Sequence, residues 1–214
     1  MALSLRAIRI SLPWTELVAL PRLDIGDGEI VTLMGASGSG KSTLLSFIGG
    51  DLEPPFRAEG QVLMDGADVS QLPPERRRIG RLFQDDLLFP HLTVAENLLF
   101  GLPRGSRAAR LAAVEEALAG ADLAGFGDRP PQTLSGGQRA RVALMRALLA
   151  SPRAMLLDEP FNRLDAELRA QMRVFVYDHM RAKGIPCLLV THDRADAPPG
   201  SRVLRLSGEE VKDD

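Results

Sequence analysis

The sequence has a single cysteine, Cys187. One thiol cannot build a disulfide framework, so a packed core must hold the fold and a cytoplasmic address is favoured. No apolar run approaches the roughly 20 residues of a membrane-spanning helix. The N-terminus is broken by Arg6 and Arg9 and carries no signal-peptide pattern. Charge excess is also missing. With 26 basic against 28 acidic residues the net charge is −2, which leaves no electrostatic footprint for nucleic acid. Lysine is scarce: Lys41, Lys183 and Lys212 are the only three, which makes Lys41 conspicuous. Internal repeats, low-complexity tracts and coiled-coil heptads are absent.

What is present is ordinary for a globular chain of 214 residues, 45% hydrophobic and 25% charged. That length suits one domain with room for a proper core. Short apolar strands alternate with helical stretches, the pattern of an α/β protein with a largely parallel sheet. Residues 29–34 read as a buried strand, followed by a Gly-rich turn and a helix from about 41 to 48. Residues 61–64 read as a strand with Asp65 and Gly66 as its turn. Thr93 and Glu96 form a capping box. Residues 106–120 are helical, with Leu111, Val114 and Leu118 on one face. Residues 136–150 form a strong amphipathic helix. Residues 155–157 are a buried strand ending at Asp158. Asp165 caps a long helix with Leu168, Met172, Phe175 and Val176 as its stripe. Residues 187–190 make the next strand, and 203–206 a late edge strand.

Gly35, Ala36, Ser37, Gly38, Ser39, Gly40, Lys41 and Ser42 fit the P-loop pattern G-x-x-x-x-G-K-[ST]. A triphosphate needs many donors close to its oxygens. Glycines let backbone N–H groups approach, and a helix N-terminus adds positive character. In that pattern Lys41 reaches the phosphates, Ser42 supplies a hydroxyl to Mg²⁺, and Thr43 follows within the binding segment. Asp158 and Glu159 end an apolar strand, where parallel sheets open onto ligands. By themselves two acids merely terminate a strand. With a P-loop upstream, Asp158 becomes a Mg²⁺ holder and Glu159 the residue that polarises the attacking water. Leu134, Ser135, Gly136, Gly137 and Gln138 precede the 136–150 helix. They form a second helix N-terminus suited to phosphate, in a chain with one P-loop to fill.

In order, a P-loop, residues 134–138, Leu157-Asp158-Glu159-Pro160 and His192 after a buried strand resemble the ATP-binding cassette (ABC) ATPases over essentially the whole chain. The resemblance implies a P-loop NTPase core with a mostly parallel sheet, a small antiparallel β subdomain and an inserted helical subdomain. The parts expected are 1–85 and 152–214 for the core and 86–151 for the helical subdomain. It implies ATP and Mg²⁺ as ligands. Gln84 matches the Q-loop glutamine that senses Mg²⁺ and the attacking water, Asp165 the D-loop aspartate, and His192 the switch histidine. A histidine after a strand is otherwise usually structural, and Gln84 otherwise a surface residue. Trp14 matches the aromatic that stacks on adenine; a core tryptophan is the other reading. One departure stands out. The D-loop reads Asn162-Arg163-Leu164-Asp165, with a bulky cation where the family usually has Ser-Ala-Leu-Asp.

The resemblance also implies partners. Two such chains, identical or related, pack head to tail with ATP between the P-loop of one and positions 135–137 of the other. The stretch 83–98 is similar to the importers of ferric iron, sulfate, polyamines and thiamine, and Arg139-Ala140-Arg141-Val142-Ala143-Leu144 after residues 134–138, with Arg163 in the D-loop, resembles thiamine-type ATPase subunits. That implies transmembrane permease subunits, a solute-binding protein in the full system, no nucleic acid, and a peripheral position on the cytoplasmic face of the membrane. Leu87, Leu88, Phe89 and Leu92 then form the socket for the permease, or plain core. A soluble ABC ATPase acting on another partner is the competing reading.

Overall fold

The computed structural model describes residues 1–83, 85–207 and 210–213. They fall into two units. One comprises Met1–Arg81, Arg153–Glu159 and Tyr177–Asp214; the other comprises Leu82–Pro152 and Pro160–Val176. In chain order the first unit begins with β1 (Leu3–Leu12), β2 (Thr15–Ile25), β3 (Ile30–Gly35), α1 (Lys41–Gly49), β4 (Arg57–Met64), β5 (Ala67–Asp68) and the short α2 (Pro74–Arg77). β6 (Ile79–Leu82) leads into the second unit, which holds α3 (Val94–Gly101), α4 (Arg107–Gly120) and α5 (Gly136–Leu149). β7 (Ala154–Asp158), β8 (Cys187–Val190), β9 (Val203–Ser207) and β10 (Glu210–Asp213) return to the first, and α6 (Ala166–Lys183) divides between the two. The resemblance places 160–176 with the core. Here that stretch groups with the helices, where the Phe175 ring lies 2.7 Å from the position a Cβ on Gly120 would take.

The described strands form one sheet in the order β5-β4-β1-β2-β10-β9-β3-β8-β7-β6. β3 runs parallel to β8 and β9, and β7 parallel to β8. Ala154–Asp158 and Cys187–Val190 are buried at every position, as strands covered on both faces must be. β1 pairs antiparallel with both β2 and β4 and alternates instead, burying Leu3, Leu5, Ile8 and Ile10. Its register breaks near Ala7, which has φ 48°. Gly60 on β4 faces that bulge at φ 110°, where a Cβ would sit 2.6 Å from the Ala7 carbonyl oxygen. Only glycine fits there.

Two expectations need correction. Val203–Ser207 is not an edge strand, because β3 pairs with it on one side and β10 on the other. Leu111 does not join the buried face of α4. It stays 40% exposed, while Val114, Ala117 and Leu118 carry the packing from the next turn onward. The Thr93–Glu96 capping box is present in both directions, with Thr93 N–H donating to the Glu96 carboxylate at 2.7 Å.

Candidate functional site

β3 delivers the P-loop from the carboxyl end of the parallel sheet. Gly40 adopts φ 93° and starts α1; a Cβ there would lie 2.8 Å from Val18 Cγ2 of β2, so the β1–β2 hairpin runs beside the loop. Trp14 sits in the turn of that hairpin and is 88% exposed, which excludes a place in the core. Lys41 is buried, and its ammonium donates to the carbonyl oxygens of Gly35 (2.9 Å) and Ala36 (2.7 Å) and more weakly to Ser39 Oγ (3.5 Å). A pocket opens over the loop, lined by residues 34–39, His192, Arg205 and Leu206.

The neighbouring strands bring the acids to the same edge. Asp158 pairs laterally with Val190, and Val190 with Leu33, so the ends of β7, β8 and β3 lie side by side. Burial pushes the Asp158 carboxyl above its ordinary range. A hydrogen bond from Ser42 and the charges of Arg81 and Lys41 oppose that rise, and Glu159 adds to it. Glu159 has φ 50°, left-handed backbone that a non-glycine residue adopts only when its surroundings impose it. Its N–H donates to the Val190 carbonyl at 2.9 Å, which ties the residue to the end of β8. The Glu159 carboxylate meets His192 Nδ1 at 2.9 and 3.0 Å, and Thr191 Oγ1 lies 3.5 Å away. Thr191 is held by donating to Asp196 at 2.8 Å. His192 itself is exposed.

The second unit carries the remaining motifs. Ser135 is the N-cap of α5, in a reciprocal box. Its Oγ accepts from Gln138 N–H at 3.2 Å, and Gln138 Oε1 accepts from Ser135 N–H at 2.9 Å. The helix start at Gly136 and Gly137 is therefore ordered. Asp165 accepts from Leu168 N–H at 3.0 Å, as a cap for α6. Gln84 lies outside the described residues.

Comparison with known proteins bears on this geometry. Residues 21–162 match the family model described as ABC transporter. The chain belongs to the ABC transporter family. This ABC chain is 46% identical over 206 residues to the uncharacterized ABC transporter ATP-binding protein YnjD of Escherichia coli, covering 96% of the chain and 95% of that relative. It is 48% identical over 181 residues to the sulfate/thiosulfate import ATP-binding protein CysA of Caulobacter vibrioides. That match covers 82% of the chain but only 52% of the relative, so the chain spans about half the length of such relatives. Among solved structures it is similar to the dimeric post-hydrolysis state of the ATP-binding cassette MJ0796 bound to ADP and Pi. There the TM-score is 0.85 and the identity 32%, over 99% of this chain and 97% of that one.

Two arginines of the ABC chain belong to the site although no motif marked them. Arg81 is held by Asp51 (2.6 and 2.8 Å) and Ser46 Oγ (2.9 Å), and reaches the Ser42 carbonyl at 3.4 Å. It is one of the charges felt by Asp158. Arg205 pairs with Met34 across β9 and β3 and lines the pocket over the P-loop. The only sequence signal for either is a lone arginine at a strand position. For Mg²⁺ the donor set fits. Among the described residues no cluster of three or more His, Cys, Asp or Glu side chains is arranged to hold a metal. Adjacent hydroxyl and carboxylate oxygens from Ser42 and Asp158 suit an ion that takes one or two protein ligands and completes its shell with phosphates and water.

Proposed function

We propose that this chain is the ATP-hydrolysing subunit that energises a bacterial ABC membrane importer of a small solute, one of the thiamine, iron or sulfate type. The supporting observation is the convergence of Lys41, Ser42, Asp158, Glu159 and His192 at the carboxyl ends of three adjacent parallel strands. The likeness to an importer ATPase and to a dimeric cassette supports the rest.

In this reading residues 35–43 bind the phosphates, with Lys41 as their cation, and Trp14 stacks on adenine. Ser42 and Asp158 would hold Mg²⁺, which would supply charge neutralisation for the phosphates, and Gln84 is the residue the resemblance gives as its sensor. Glu159 polarises the attacking water, and its contact with His192 fixes the carboxylate. Phosphoryl transfer demands mainly positioning and charge stabilisation, which these groups provide. Ser135, Gly136, Gly137, Gln138 and Asp165 face the nucleotide held by a second copy or a related subunit. ATP then favours the closed dimer and ADP does not. No described helix is long and apolar enough to cross a membrane. As the ATPase subunit of an importer, the chain acts from the cytoplasmic face, on permease subunits that, with a solute-binding protein, choose the solute.

Glu159→Gln tests this reading. It keeps the shape and the left-handed backbone but removes the carboxylate. The variant should bind ATP, lose turnover by about 10²-fold or more, and accumulate as an ATP-bound dimer on size exclusion. Turnover near the parent rate would refute the role of Glu159.

A further inference from the structure

Arg163, the residue at which the D-loop departs from the family pattern, has defined partners. One guanidinium nitrogen donates to Asp85 Oδ1 at 2.8 Å, and the other lies 3.7 Å from Asp86 Oδ2. That same Asp86 oxygen accepts from Arg139 Nε of α5 at 2.8 Å, and Arg139 also donates to the Leu134 carbonyl at 2.8 Å. A third cation, Arg146, donates to the backbone carbonyls of Asp86 (3.2 Å) and Leu87 (3.0 Å). Leu87 holds φ 44° within this grip. The backbone of Arg163 closes on α5 as well. Its carbonyl oxygen lies 3.1 Å from where a Cβ on Gly137 would be. One D-loop arginine thus joins the segment that follows Gln84, the start of the signature helix and the D-loop itself, all within the second unit.

We propose that Arg163 is a positioning residue for ATP hydrolysis, clasping the D-loop to Asp85 and Asp86 so that the three segments hold one geometry. The exposed pair with Asp85, whose side chain is 77% accessible, adds little stability. A planar fork hydrogen-bonded to Asp85 with its other arm in ion-pair range of Asp86 does fix direction, which a lysine at this position would do poorly. This inference rests on the reading that Asp165 and Ser135 face the partner's nucleotide. Loss of the clasp then slows turnover without loosening ATP on the P-loop.

The test uses the full chain and a charge exchange: Arg163→Asp, Asp85→Arg and the two together. Measurements are kcat, ATP affinity by equilibrium dialysis, and melting temperature. Each single change should lower kcat by about fivefold or more at an ATP affinity within about twofold of the parent. The double exchange should recover most of that loss. An unchanged kcat in Arg163→Asp, or no recovery in the double exchange, overturns the proposal. So does a parallel loss of ATP affinity, which marks general damage. A parent chain without ATPase activity would refute the function proposed above, whereas an active parent indifferent to Arg163→Asp would refute this inference alone.

Discussion

Replacing Arg77 with alanine should destabilise the chain by several kcal/mol, although Arg77 lies outside every recognised motif. The side chain is buried, and its guanidinium donates to four carbonyl oxygens. Two, Phe47 (2.8 Å) and Ile48 (2.9 Å), belong to the last turn of α1; the others are Leu72 (2.8 Å) and Ser70. α1 has no basic residue of its own in that turn, so Arg77 supplies the charge that a helix C-terminus favours. Gly50 accommodates it. At φ 88°, a Cβ there would lie 2.6 Å from Arg77 Nε. Hydrogen bonds to a charged donor are worth about 1.5–3 kcal/mol each. Counting only the two α1 carbonyls, since Leu72 and Ser70 lie in a loop where water can replace the donor, gives about 3–6 kcal/mol. For a chain of this size each kcal/mol moves the melting temperature by roughly 2–4 °C. Urea titration should show a lower midpoint at constant m-value. Arg77→Lys keeps the charge but not the fork, and should recover only part of the loss. A loss below about 1 kcal/mol for Arg77→Ala would refute the argument, because that is the scale of one neutral hydrogen bond.

Two further predictions concern the first unit. Ser4 and Arg22, with Arg6, hold the Asp24 carboxyl far below its ordinary value of 3.8. A depressed carboxyl contributes stability that is fully present above the unfolded value and lost as pH falls through the folded one. Asp24→Asn should therefore cost about 1 kcal/mol at neutral pH, discounted because the side chain is 41% exposed. The gap from the parent should shrink below about pH 4, and a gap that widens on acidification would contradict the sign. Trp14 is the only tryptophan, so in the proposed stacking role its emission would report on ATP. Binding should quench it, and Trp14→Ala should weaken ATP by about tenfold, the value of one good aromatic contact, with the melting temperature nearly unchanged. A large fall in melting temperature would return Trp14 to a structural role.

The parts of the site legible in the sequence are those whose chemistry needs particular residue types at fixed spacing. The P-loop is written in its glycines and Lys41, and the acids in a strand that ends Asp158-Glu159. The capping box at Thr93 and Glu96 was equally plain. β1 and β2 carry a weak strand signal, because Pro21 interrupts the alternation of β2 and the pairing skips it opposite the bulge at Ala7. The interior placement of β9 rests on its parallel pairing with β3, which is long-range, and on β10, a short strand that carries no pattern of its own. Arg77 and Arg81 were illegible for a related reason. Their partners on α1 and the loop after it lie about thirty residues away, and no local pattern announces such a contact. Arg163 was visible as an anomaly, but its meaning required Asp85 and Asp86 to be seen beside it.

The central claim is that one chain holds only half of a working site, and mixing two defective chains tests it most directly. Lys41→Ala removes the phosphate cation from one copy. Gly136→Glu places a carboxylate at the start of α5, where a Cβ meets nothing nearer than Arg139 at 3.9 Å, so the fold should tolerate it. Each variant alone should be inactive. An equimolar mixture forms hybrid dimers in which one of the two sites is intact, and should recover about a quarter of parent activity for random pairing. No recovery at any mixing ratio, or full activity in the Gly136→Glu chain alone, would contradict the shared site.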